Sequence, residues 1–252
     1  MAGLDAIQLL AFTPAQITMT LLVFTWTGFV RSGLGFGGAA LGLPLMLFID
    51  DQPLFWLPVI GTHLLFFTSL TLRTRLSNVD WAYLKQSGLF IFPAKIAGVI
   101  GLLNLPTEWL VALIYSITLA YSVLWLFKLT IRAGGGWASR LLLLVGGYVS
   151  GTSLTGAPLI VAVYMQNVAA RQLRDTLFVL WFILVSVKMS TFAMLAVDLH
   201  LLSALMLLPA AAIGHVVGLR VHEAILRNDA FFKRFIGLAL MTVSLVGLSS
   251  LL

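Results

Sequence analysis

Lys95 and Lys188 are the residues whose chemistry most demands an explanation. Lys95 lies ten positions from the loop residue Lys85, and Lys188 ten from Asp198. Ten helical residues span about 15 Å, so both amines fall near mid-bilayer if their segments cross a membrane. At that depth a lysine cannot snorkel to outside water. His63, ten positions from Arg73, is equally deep. The acidic residues, from Asp5 to Asp229, all sit near loops, so neither lysine has a mid-membrane carboxylate to pair with. Such an ammonium sheds its proton, faces a hydrated cavity, or receives its counter-charge from a bound anion. A hydrogen bond to a backbone carbonyl at a broken helix is the structural alternative for each lysine.

The sequence contains two such breaks. One is Ser150-Gly151-Thr152-Ser153-Leu154-Thr155-Gly156-Ala157-Pro158. Moving back 118 positions places Ser150 on Ser32, Gly151 on Gly33 and Gly156 on Gly38, within Ser32-Gly33-Leu34-Gly35-Phe36-Gly37-Gly38-Ala39. Where a helix restarts after a break, its first N–H groups lack partners and the dipole adds partial positive charge, which suits an anion. The candidate substrate-binding residues are therefore Gly33, Gly35, Phe36, Gly37 and Gly38 at the first break. At the second they are Ser150, Thr152, Ser153, Thr155 and Gly156, with Lys95, Lys188 and His63 as deep polar groups. Glycine permits close backbone approach, and the hydroxyls supply donors. His63 and His215 are also candidate proton carriers, each with buried packing as its plainer reading. Arg31 is either a third positive group or a surface residue. Gly214 and Gly218 fit small-residue helix packing.

These residues need elements to hold them, and composition names the kind. Sixty per cent of the 252 residues are hydrophobic and ten per cent charged, which predicts an all-α polytopic membrane protein. Apolar segments fall at roughly 15–49, 53–72, 87–103, 108–128, 140–166, 173–197, 200–219 and 231–252. Most match the ~20 residues that cross about 30 Å of hydrocarbon. The first and fifth carry the glycine-rich breaks. The net charge of +6 resides in short loops rather than on one soluble face, so a nucleic-acid partner is excluded and the lipid bilayer is the expected surroundings. With no cysteine there is no disulfide or thiolate metal site, and nothing calls for a metal or cofactor. The start of the chain lacks the cationic region of a cleaved signal peptide.

Lysine and arginine mark cytoplasmic loops. Arg73, Arg75 and Lys85 lie in one loop, Lys128, Arg132 and Arg140 in the next, and Arg220, Arg227, Lys233 and Arg234 in another. The loops at Asp50-Asp51, Asn104 to Glu108 and Asp198 to His200 carry neither residue and belong outside. A single crossing by the fifth segment would strand Arg171 and Arg174 outside. A re-entrant hairpin folded at Ser150 to Pro158 returns them to the cytoplasm. Each half then makes an odd net number of crossings, giving two inverted four-segment repeats. The expected units are residues 1–129, a basic cytoplasmic linker at 130–140, and residues 141–252, with both termini outside. Pro93-Ala94-Lys95-Ile96-Ala97-Gly98 echoes Pro209-Ala210-Ala211-Ala212-Ile213-Gly214 at an offset of 116, which pairs Lys95 with Ala211.

The two glycine-rich breaks, with Pro44 after the first, resemble the TauE/SafE family of sulfite and sulfonate exporters. The loop Leu76-Ser77-Asn78-Val79-Asp80-Trp81 and the stretch Pro93 to Gly101 add to the likeness, which spans nearly the whole chain. The resemblance implies a secondary carrier of the bacterial inner membrane, multi-pass and not an enzyme, exporting a small organosulfur or related organic anion. Ser153 and Thr155 stand where the family has glycines, which opens the site to an anion other than sulfite. Lys95 and Lys188 are read from depth and charge alone. The expected mechanism is alternating access around a midplane site between the two broken helices.

Two other classes fit parts of the pattern. An anion channel would share the site and lack alternating access. An intramembrane serine protease would pair Ser150 or Ser153 with His215. The protease lacks the Gly-x-Ser-Gly order and leaves both lysines and the duplicate break without a role. Neither the compound carried nor the oligomeric state is encoded legibly.

Overall fold

The computed structural model describes residues 7–34, 38–72, 76–129, 131, 134–227 and 229–251. The described residues form helices joined by short turns, without a strand. They are α1 (Ile7–Leu10), α2 (Pro14–Leu34), α3 (Gly38–Met46), α4 (Pro53–Leu72), α5 (Trp81–Asn104) and α6 (Thr107–Leu126). After the linker come α7 (Gly136–Ser153), α8 (Ala157–Asn167), α9 (Ala170–Met194), α10 (Leu201–Arg227) and α11 (Asp229–Ser249). Among the described residues, five helices are long and apolar enough to cross a membrane: α4, α5, α6, α9 and α10. On α5, Leu89, Ile96 and Ile100 form an exposed apolar stripe, while Lys95 faces inward. That is the pattern of a lipid-facing helix with a polar interior face.

The helices fall into two compact units that cut across the sequence halves. Unit 1 comprises Met1–Ile60, Pro106–Thr130 and Asp198–Leu252; unit 2 comprises Gly61–Leu105 and Ile131–Val197. Within unit 1, α2 packs along α10 and α6 along α11. A core of Val30, Leu41, Ile236 and Leu240, flanked by Trp26, Phe29 and Trp125, fills the space between them. Within unit 2, α5 packs along α7, and α9 contacts both α5 and α8. Ile91, Leu143, Ile160, Tyr164, Leu180 and Leu184 belong to its core. In each unit a helix ending at a break thus lies against the long helix that precedes the last helix of the other half.

Both of these crossings bring backbone against backbone. A Cβ on Gly147 of α7 would sit 2.6 Å from the Ile91 carbonyl oxygen of α5, and one on Gly151 would overlap the Lys95 carbonyl. A Cβ on Gly28 of α2 would overlap the Ala211 carbonyl of α10. Gly214 and Gly218 press equally closely on Thr25 and Phe29. Without a hydrophobic force between helices in lipid, such close approach is what lets them pack.

Both breaks are hairpins. α8 runs back along α7, so that a Cβ on Gly146 would lie 3.2 Å from Leu159 Cβ. α3 runs back along α2, with the Gly38 position 3.0 Å from the Thr27 carbonyl oxygen. The hairpin in the fifth segment has a consequence at its open end. Asn78 Nδ2 donates to the Arg171 carbonyl and to Asp175 Oδ2, both at 2.7 Å, and the Asp80 N–H donates to Thr176 Oγ1 at 2.9 Å. The loop before α5 and the loop before α9 therefore share one end of unit 2. In unit 1, Gln8 bonds Asp50 and the Phe55 ring lies 4.9 Å from that of His200, so the acidic loops share an end with the start of the described chain.

Candidate functional site

The second break, inside unit 2, is narrower than its sequence suggests. Ser150 to Ser153 complete the last turn of α7. The hydroxyls of Thr152 and Ser153 donate back to the Val149 carbonyl at 3.1 and 3.0 Å, a back-bonding that loosens and bends the last turn. The turn comes at Leu154, in the left-handed region at φ 60° and ψ 11°, with its N–H bonded to the Ser150 carbonyl. A leucine there costs about 1 to 2 kcal/mol relative to the right-handed region. Gly156 then precedes α8, whose N-terminus has no side-chain cap and has Pro158 in its first turn. The Ala157 and Leu159 amides thus begin a helix in a buried setting where no hydroxyl serves them.

The two deep lysines converge on the end of α7. Lys95 Nζ donates to the carbonyl and the hydroxyl oxygen of Ser150, each at 3.1 Å. Lys188 Nζ, from α9, donates to the carbonyls of Gly151 at 2.7 Å and Thr152 at 3.2 Å. Both side chains are sealed from solvent, at 0 and 1 % exposure. Two amines thereby satisfy three successive carbonyls at the negative end of the α7 dipole. Among the described residues, no carboxylate pairs with either. When protonated, each amine carries three donors and keeps one beyond its two described bonds. The Phe192 ring, one helical turn beyond Lys188, lies with its centroid 5.4 Å from Nζ, within cation–π reach.

The hydroxyls divide into two sets. Ser153 Oγ and Thr155 Oγ1 are 2.6 Å apart; with the Ser153 proton on Val149, Thr155 is the donor in that pair. Thr152, Ser153 and Thr155 are therefore occupied in shaping the turn. Ser150 accepts from Lys95 and retains its own proton for another partner. All four are buried.

A helix-break-helix hairpin in a membrane bundle thus has the last turn of its first arm held by two buried lysine amines. A family model described as sulfite exporter TauE/SafE matches residues 20–247, both breaks included. The chain belongs to the TauE/SafE family. Neither a curated protein nor a solved structure matches it. TauE/SafE proteins are membrane transporters of sulfite and related anions, not enzymes. Ser150 bonds Lys95, Ser153 bonds the Val149 carbonyl and Thr155, and His215 bonds Ser32.

The first TauE/SafE break lies in unit 1 between α2 and α3. Gly35, Phe36 and Gly37 lie outside the described residues, whereas Gly33 and Gly38 flank them, both buried. Ser32 Oγ hydrogen-bonds His215 Nδ1, and His222 Nδ1 donates to the Gly33 carbonyl at 2.6 Å. His63 is buried on α4 with the Phe67 ring at 6.5 Å. Two residues escaped the sequence reading. Phe192 is four positions after Lys188, hence on the same helix face, and His222 is seven after His215, two turns along one face of α10. Both spacings were visible signals.

Proposed function

We propose that this TauE/SafE protein is a secondary carrier that exports a small sulfonate, sulfite or related organic anion across the bacterial inner membrane by alternating access. The observation that carries the proposal is the pair Lys95 and Lys188: two buried amines from different helices, bonded to one turn of α7 and, among the described residues, without carboxylate partners, each of which has a donor to spare when an anion holds it protonated. An anion beside that turn receives charge from both amines, a hydroxyl proton from Ser150 and the amides that open α8. Such a group carries several acceptor oxygens in a compact shape, as a sulfonate or sulfite does. A cation there would face two ammonium groups. Basic loops on the cytoplasmic side and both termini in the periplasm complete the proposed arrangement.

The test is thermal unfolding of the purified protein with sulfite, methanesulfonate, sulfate, acetate, sodium, potassium and sucrose. A ligand present at 100 times its Kd stabilises the folded state by about 2.7 kcal/mol, a rise of several degrees in Tm. One or more sulfur oxyanions are expected to give that rise. Stabilisation by the cations or by sucrose alone would overturn the proposal.

A further inference from the structure

One end of unit 2 holds a cleft of about 260 Å³ between α5, α7 and α8. Its polar lining includes Tyr83, Gln86 and Ser87 from α5, Arg140 from α7, and Gln166 and Asn167 from α8. Among the described residues, no carboxylate lines it. Asp80, three residues before Tyr83, accepts the Tyr83 N–H at the start of α5 and is not part of the lining. The Arg140 guanidinium lies over the Phe90 ring, 5.7 Å from its centroid, and among the described residues no carboxylate bonds it. Asn167 gives one amide proton to the Val163 carbonyl at 2.7 Å and keeps a second. The cleft is thus rich in donors, carries a positive charge and far exceeds the about 10–15 Å³ that one water needs.

The same groove leads to the lysine turn. α5 and α7 run in one direction, since the Gly147 position meets Ile91 and the Gly151 position meets Lys95. One turn nearer the helix starts, that register pairs Ser87 with Leu143, and two turns nearer it pairs Tyr83 with Ser139; all four line the cleft. From Arg140 to Ser150 is ten residues of α7, about 15 Å. A dry layer lies between. Ile91, Leu143 and Ile160 are buried there, and Ser87 and Tyr164, at 1 and 0 % exposure, share a hydrogen bond of 2.5 Å.

We propose that this cleft is an outer anion subsite, where Arg140 holds the sulfonate or related anion on its path to Lys95 and Lys188. This rests on the anion-carrier function proposed above. A guanidinium fork suits a compact group with several acceptor oxygens. Its distance from the lysine turn exceeds the Debye length of about 8 Å at physiological salt, so Arg140 speeds arrival and departure alike and leaves the final affinity unchanged. A lipid phosphate offers similar oxygens, and the experiment separates the two sources.

The full chain is reconstituted in vesicles of phosphatidylcholine alone, initial rates of labelled methanesulfonate exchange give KM, and the Kd is measured in detergent. Arg140→Gln is expected to raise KM about tenfold at low salt and less than threefold at high salt, with Kd within about twofold of the wild type. Arg140→Lys is expected to restore most of the loss. Gln86, exposed at the rim, supplies a second test that does not depend on the fold tolerating a change at Arg140. Gln86→Glu is expected to raise KM and Gln86→Lys to lower it, a dependence on sign that a packing role does not produce. Wild-type KM in Arg140→Gln, an equal change in its Kd, or KM shifts of the same sign in the two Gln86 variants overturns the subsite and leaves the anion carrier standing. An Arg140→Gln effect that appears only when phosphatidylglycerol is added makes the cleft a lipid site and also overturns it. If folded wild type neither binds nor exchanges methanesulfonate, the carrier function for sulfonates falls, and the subsite with it.

Discussion

Replacing Lys188 with Gln is expected to weaken methanesulfonate binding by about 30- to 4,000-fold, the equivalent of the 2 to 5 kcal/mol typical of truncating one partner of a desolvated charge pair. Lys95→Gln should do the same. Glutamine preserves a donor for the α7 carbonyls while removing the charge, so it separates the two roles the geometry gives each lysine. Both amines bond the carbonyls of Ser150 to Thr152, and a buried carbonyl left without a donor costs about 1 to 3 kcal/mol. If the lysines only close the helix, the glutamine variants lose stability and the surviving folded protein binds the anion as before. If they supply counter-charge, affinity falls while the ligand-free melting temperature changes by a few degrees at most. Arg171→Ala, at an exposed side chain, should leave affinity within about threefold.

The second large effect concerns the crossing that delivers Lys95 to its site. Gly151→Ala is expected to destabilise the protein by about 1 to 3 kcal/mol, and Gly151→Val by more, because the new atoms meet backbone rather than a movable side chain. A Cβ there would overlap the Lys95 carbonyl and lie 2.9 Å from Gly98 Cα. Prising α5 from α7 also displaces Lys95 from Ser150, so anion affinity should fall with stability. Gly134→Ala in the linker, where the nearest atom to an added Cβ is 3.9 Å away, should change the melting temperature negligibly. Equal tolerance at both positions, read by thermal unfolding in detergent, would mean that the crossing is not tightly packed.

The sequence showed much of this and hid the rest for physical reasons. Composition marks the bundle, the glycine-rich stretches mark the breaks, and the placement of Arg171 and Arg174 marks the hairpin, which the bond from Asn78 to Arg171 supports. The burial of Lys95 and Lys188 follows from their distance to loop residues. What the amines hold does not, because a backbone carbonyl looks the same at every position, and a lysine that caps a distant helix leaves no spacing rule. Nor does the sequence order of helices say that α5 packs on α7 and α10 on α2, since lipid makes any apolar face acceptable and only the glycine stripes choose. The Pro-Ala echo pairs Lys95 with Ala211 by residue likeness, whereas the packing of Gly98 on Gly151 and of Gly218 on Gly33 pairs it with His215, a register one turn away.

Counterflow tests the central claim most directly. Proteoliposomes holding the purified wild type are loaded with unlabelled methanesulfonate and diluted into a trace of labelled anion. A carrier with one anion site exchanges label for unlabelled anion faster than the gradient collapses, so the label should accumulate inside above its outside concentration and then decline. Lys95→Gln should reduce that overshoot at least tenfold. Label that only equilibrates, at a rate proportional to concentration without saturation, or that does not enter at all, would contradict the account.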